Sequence, residues 1–159
     1  MSANFAAFVV DDDKEMRNSL THLLSKAGWD VNAFKDADTA LRKLDGLHPD
    51  VVLSDVRMPG TSGLDLLDEL KGPDHPPLIL ISAHGDIPMA VQAIQNGAYS
   101  FMEKPFDPMR LLTAMRHAAE AHQLAERARR MRADLLSLSG LDRVLLGHDQ
   151  RIAALRDQV

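Results

Sequence analysis

Short, nearly unbroken apolar runs alternate along this chain with stretches whose apolar residues recur every three or four positions. Residues 5–10 form the first run. After Asp11-Asp12-Asp13, residues Met16, Leu20, Leu23, Leu24 and Ala27 share a helical face, and Gly28 follows as a C-terminal stop. Residues 29–34 alternate as a second strand, and residues 37–44 fit a short helix ended by Gly46. Val51-Val52-Leu53 leads through Ser54 to Asp55, a third strand closed by the turn formers Pro59-Gly60. Leu64, Leu67 and Leu70 mark a helix that Gly72-Pro73 ends, and residues 78–81 form a fourth strand reaching Ser82. Residues 87–95 predict the next helix, with Pro88 in its first turn and Asn96-Gly97 as its stop. Residues 99–103 make a fifth strand, followed by Lys104-Pro105.

Strands alternating with helices at this spacing, joined by short right-handed crossovers, predict an α/β fold: a doubly wound parallel sheet with helices on both faces. Asp11, Asp12, Asp55, Ser82 and Lys104 then all fall at carboxyl ends of strands, the edge where such sheets gather ligands. Taken singly, the aspartates read as helix caps, Ser82 as a turn residue and Lys104 as a solvated charge. Their convergence on one edge is what points to a site.

Beyond Pro108 the pattern changes. Leu111, Leu112, Met115, Ala118 and Ala119 pack a fifth helix on the sheet, and no Gly or Pro interrupts it until Gly140. Leu124, Ala128, Met131, Leu135 and Leu138 continue at alternating spacings of four and three, a coiled-coil seam about two heptads long. In a parallel dimer Arg127 would face Arg132 of the partner copy, which weakens the seam. The same stripe also suits a helix folded back on its own domain. Ser139-Gly140 reads as a break, and Leu145-Leu146-Gly147 with Ile152, Leu155, Arg156 and Val159 as the opening of a further domain. The division is therefore 1–122 for the sheet domain, 123–139 for a helical linker and 140–159 for the start of the next domain.

Composition narrows the chemistry. The 159 residues are 45% hydrophobic and 26% charged, with a formal net charge of -5 that gives no support to nucleic-acid binding by the chain as a whole. There is no cysteine, which excludes disulfides, thiolate metal sites and cysteine nucleophiles. The seven histidines lack metal-ligand spacing. The amino terminus has no signal-peptide pattern, no apolar run is long enough to cross a bilayer, and the cytoplasm is the expected location.

Crowded carboxylates are unfavourable without a cation, and Mg²⁺ accepts one or two carboxylates with waters and phosphate oxygens. Asp12 and Asp55 are suited to ligation, with Asp11 ligating directly or through water, and the Arg57 carbonyl is placed to add another oxygen. A carboxylate can itself attack phosphorus to give an acyl phosphate. Lys104 would then supply a point charge and Ser82 a hydroxyl to the phosphoryl oxygens.

Val9-Val10-Asp11-Asp12, Asp55 with Met58-Pro59-Gly60, Ser82-Ala83 and Lys104-Pro105-Phe106 together resemble the motif set of receiver domains of bacterial two-component response regulators. The resemblance covers roughly residues 4–122. It implies a flavodoxin-like sheet of strand order 2-1-3-4-5, with Asp55 accepting a phosphoryl group from a sensor histidine kinase. It also implies Mg²⁺ at Asp11, Asp12, Asp55 and the Arg57 carbonyl, and a cis peptide before Pro105. Ser82 and Phe101 take the switch positions, Ser82 standing where many members have Thr. Arg57 and His84 take positions that tune phosphate lifetime. Homodimerisation would use the surface of the fourth helix, fifth strand and fifth helix. The stretch 84–94 is similar to both nitrogen-regulator and nitrogen-fixation regulators. The tail resembles the opening of an AAA+ domain that activates sigma-54 RNA polymerase, with C4-dicarboxylate transport regulators the nearest likeness. The full-length protein would then bind ATP, DNA and that polymerase, while the present residues carry none of those motifs.

Other readings remain. Asp11-x-Asp13 matches a haloacid-dehalogenase-type phosphatase with Asp11 as nucleophile and Asp13 as acid, but leaves Asp55 without a role. A dinucleotide-binding module would need a Gly-rich turn where three aspartates stand. A phosphorylation-independent dimerisation module would dimerise equally well after Asp55→Asn.

Overall fold

The computed structural model describes residues 5–70, 75–83 and 87–145, with side chains to residue 137 except at 87. Five parallel strands, β1 (Ala6–Val10), β2 (Asp30–Phe34), β3 (Val51–Asp55), β4 (Leu78–Ser82) and β5 (Ser100–Glu103), lie in the order β2-β1-β3-β4-β5. They alternate with α1 (Lys14–Lys26), α2 (Ala37–Leu47), α3 (Gly63–Glu69), α4 (Ile87–Gln95) and α5 (Pro108–Leu145). This is the flavodoxin-like strand order, with a long C-terminal helix.

The strands are apolar on both sides because both sides are covered. Phe8, Val10, Val52 and Leu80 face a core closed by α2, α3 and α4. Ala7, Val9, Leu53, Ile79 and Ile81 face a second core closed by α1 and α5, with Leu20, Leu24, Leu111 and Met115. Parallel register fixes the carboxyl edge: Val10 pairs with Ser54, Asp55 with Ile81, and Ser82 with Glu103. One step beyond Val10, Asp11 is level with Asp55.

Several boundaries depart from the sequence pattern for local reasons. Trp29 precedes β2 rather than opening it; its ring packs on Phe5 with centroids 5.1 Å apart, and its main-chain N–H donates to the Leu24 carbonyl. Gly46 does not stop α2, since one glycine only weakens a helix. The helix ends where His48 turns left-handed, φ 45°, and its N–H bonds the Leu44 carbonyl. Likewise α5 runs through Ser139-Gly140 to Leu145, so no break in the helix occurs there. Gly72-Pro73 and residues 146–159 lie outside the described residues.

The chain divides into two compact units, residues 1–123 and 124–159. Near the end of the first, Asp50 at the amino edge of β3 takes an N–H bond from Ala6 at 3.0 Å. Longer contacts of 3.4 Å join it to His122 and Gln123 on α5. In the second unit, Leu124, Met131 and Leu135 are each more than 60% exposed, Ala128 is exposed, and Arg129 pairs with Glu126. The Leu138 side chain is outside the described residues.

Gly63 lets α3 start directly against the end of β3. Ser62 caps that helix in a reciprocal box with Asp65, and the Gly63 N–H bonds the Val56 carbonyl at 2.9 Å. A Cβ on Gly63 would collide with the Asp55 carbonyl oxygen and come within 2.9 Å of Leu80 Cδ2 and Val56 Cα. Gly63→Ala is expected to lower stability by about 1–3 kcal/mol, the range for overpacked sites. Urea denaturation of the variant beside the wild type reads this directly.

Candidate functional site

β1, β3 and β5 each deliver a charged group to one corner of the carboxyl edge. Asp11 follows β1 and is buried, Asp55 ends β3 half-buried, and Asp12 beside Asp11 is exposed. The three carboxylates each bring an oxygen within 4.8 Å of the others. Lys104, just past β5, sends its Nζ between two of them, 3.5 Å from Asp11 Oδ2 and 3.7 Å from Asp55 Oδ2. These separations exceed an ordinary N–H···O bond, so the ammonium acts as a shared point charge.

Local structure sets each group. Asp11 donates its main-chain N–H to the Phe34 carbonyl at 3.1 Å, and its Oδ1 accepts the Asp13 N–H at 2.9 Å. Asp13 caps α1 by accepting the Glu15 N–H at 3.0 Å. Its carboxylate is thus committed to the helix, and an Asp-x-Asp phosphatase would lack its acid. Ser54, facing the opposite core, donates its hydroxyl to the Asp55 carbonyl at 2.9 Å. Ser82 is fully buried at the end of β4, and its carbonyl accepts the Lys104 N–H at 2.7 Å, joining the β4 and β5 ends. The Lys104–Pro105 peptide is cis. Phe101, opposite Leu80 on β5, is half-buried against the core under α4.

Arg57 is exposed and lines a cavity of about 520 Å³ together with Val56, Met58, Pro59, Ser62, Leu64 and Met89. His84 lies outside the described residues. Two contributors carried no sequence signal. Gly63 gives only a close approach, and Arg17 reaches back to the Asp11 carbonyl at 2.8 Å. Neither contact follows from periodicity or from a motif.

The donor set suits a hard dication. Octahedral Mg²⁺, with bonds near 2.1 Å, spaces its ligand oxygens roughly 3 Å (adjacent) to 4.2 Å (opposite) apart. Three carboxylate oxygens inside 4.8 Å need only small side-chain adjustments to meet that spacing. Burial pushes the Asp11 carboxyl above the usual carboxylate range, with Asp55 and Asp12 adding repulsion; the Asp13 N–H and Lys104 oppose the shift. A carboxyl whose proton is held more tightly in the fold stabilises it at acid pH. That contribution is lost as pH rises through the raised value. Ionised Asp11 is therefore a burden on the cation-free fold at neutral pH. Asp11→Asn should melt at a higher temperature than the wild type in EDTA at neutral pH, and the gap should close as the solution is made acid. Circular dichroism melts across pH provide the comparison.

The fold and this corner coincide with a known family. Residues 7–116 match the response regulator receiver domain. DctD of Rhizobium meliloti strain 1021, a C4-dicarboxylate transport transcriptional regulatory protein, is 44% identical over 83% of this chain and 29% of its own length. The transcriptional regulatory protein FixJ of Bradyrhizobium diazoefficiens is 42% identical over 87% of this chain and 70% of its length. Among solved structures, the beryllofluoride-activated NtrC4 receiver domain dimer superimposes with a TM-score of 0.68 at 36% identity, covering 74% of this chain and 98% of that one. The chain thus spans under a third of DctD. Receiver domains generally bind Mg²⁺ through acidic residues, and Asp11, Asp12 and Asp55 form an acidic cluster at this corner. The chain belongs to the two-component response regulators as a receiver domain, with relatives among the sigma-54 activators of the NtrC and DctD kind.

Proposed function

We propose that Asp55 is the phosphoacceptor of a Mg²⁺-dependent transfer from a sensor histidine kinase. The observation that carries this reading is the arrangement of three carboxylates around one bridging lysine at the carboxyl edge. An Asp55 carboxylate oxygen attacks the phosphorus of a phosphohistidine. The new O–P bond makes an acyl phosphate, the P–N bond breaks, and the released imidazole nitrogen takes up a proton. Mg²⁺, held by Asp11, Asp12, Asp55 and the Arg57 carbonyl, would neutralise charge on the phosphoryl oxygens. Lys104, already between Asp11 and Asp55, swings its charge to a phosphoryl oxygen, and Ser82 donates its hydroxyl to another. The domain is not a classical enzyme, although these groups assist both gain and loss of its own phosphoryl group. Arg57 and His84 tune the phosphate lifetime.

The output is a two-state switch. A phosphoryl group shifts such a balance only through unequal contacts with the two states. Drawing Ser82 toward the phosphate frees space at the β4 end for Phe101 to turn inward. The face of α4, β5 and α5 responds, where Val91, Ile94, Tyr99 and Met109 are exposed. That face, with the linker seam of Leu124, Ala128, Met131, Leu135 and Leu138, forms the homodimer. Residues 1–122 act as the receiver, 123–139 as the linker helix and 140–159 as the start of an AAA+ domain. The whole protein would bind ATP, DNA and sigma-54 RNA polymerase from the cytoplasm; no described helix is long and apolar enough to cross a membrane.

Intact mass after incubation with acetyl phosphate and Mg²⁺ tests the acceptor. One hydroxylamine-labile phosphoryl adduct should form on the wild type and be absent from Asp55→Asn. An adduct that persists in Asp55→Asn but disappears in Asp11→Asn would overturn the assignment in favour of an Asp11 nucleophile. Sedimentation velocity with beryllofluoride and Mg²⁺ should show a change in association or shape that Asp55→Asn lacks. Identical profiles would sink the switch.

A further inference from the structure

We infer that Arg17 is a positioning residue for the acidic pair Asp11 and Asp12, and thereby for divalent-cation binding at this corner; the inference rests on the receiver reading above. Arg17 touches none of the reacting groups. Its Nη1 donates to the main-chain carbonyl of Asp11 at 2.8 Å, reaching from α1 back to the end of β1. Asp11 is thereby tied at three points: its N–H to Phe34, its carbonyl to Arg17 and its Oδ1 to the Asp13 N–H. Oδ2 is left turned toward Lys104.

The carbonyl that Arg17 grips belongs to the peptide joining Asp11 to Asp12. That single peptide orients both carboxylates. Among the described residues Asp12 has no hydrogen bond or ion pair of its own, so its direction depends on the main chain beneath it. Three mutually repelling carboxylates would otherwise relax apart by rotating this peptide. The guanidinium restrains that rotation at the carbonyl, while the bond from the Asp11 N–H to Phe34 holds the preceding peptide in place.

Helix energetics do not account for Arg17. It lies at the end of the first turn of α1, where the helix dipole disfavours a cation. It is half-buried, so its donors need acceptors, and the Asp11 carbonyl is one. The contact works through geometry. Partners that orient metal ligands in this indirect way typically contribute about 10–100-fold in metal affinity.

Isothermal titration of the whole chain with Mg²⁺ provides the test, alongside circular dichroism and melting in EDTA. Arg17→Ala should keep the wild-type spectrum and bind Mg²⁺ roughly tenfold or more weakly. Arg17→Lys, retaining a donor and the charge, should recover part of the loss. If Arg17→Ala does not fold, Arg17→Gln, which is too short to hold the carbonyl, is read in its place. Wild-type Mg²⁺ affinity in the folded Ala or Gln variant, even with a lowered melting temperature, would assign Arg17 to α1 stability alone and overturn the inference. A wild type that binds no Mg²⁺ would overturn the receiver reading and this inference together.

Discussion

Asp11, Asp12 and Asp55 hold three carboxylates in one corner of the sheet against a single lysine, and the surrounding elements hold them there against their mutual repulsion. The imbalance is a source of readiness. Burial raises the free energy of ionised Asp11, and the same burial makes the corner receptive to any positive charge that arrives. Lys104 offsets part of the repulsion at a distance too long for a firm bond, so it is free to transfer its interaction to an incoming oxyanion.

Holding such a corner requires stiffness beneath it. The strands are packed on both sides, so their ends cannot separate without exposing two cores. The start of α3 lies so close to β3 that position 63 has no room for a side chain. The Lys104 N–H fixes the β5 end to the Ser82 carbonyl, placing hydroxyl and ammonium at the ends of adjoining strands. Rigidity at the edge coexists with half-buried Phe101 below it, a large side chain with partial access to solvent.

Much of this was legible in the sequence. Apolar runs ending in Asp11, Asp55 and Ser82 gave strand number, direction and the edge at which the polar ends meet, because parallel sheets buried on both faces have so plain a signature. Boundaries were less legible. Gly46 and Gly140 read as stops, yet a glycine ends a helix only where the chain also turns left-handed, and His48 does so instead. Arg17 and Gly63 were invisible for a different reason. Their roles depend on a backbone atom of another element coming close, which no residue type announces.

The tie between Asp50 and the α5 residues His122 and Gln123 bears on where this module can be cut. Judged by core packing alone, the domain ends at Ala119, the last fully buried residue of α5 among the described side chains. A chimera joined there would discard both α5 partners of Asp50, leaving it the Ala6 N–H alone among its side-chain contacts described above. The transplantable piece is therefore longer than its hydrophobic core. Its seam with a foreign output domain belongs after Gln123, so that the α5 contacts with the amino edge of β3 travel with the module.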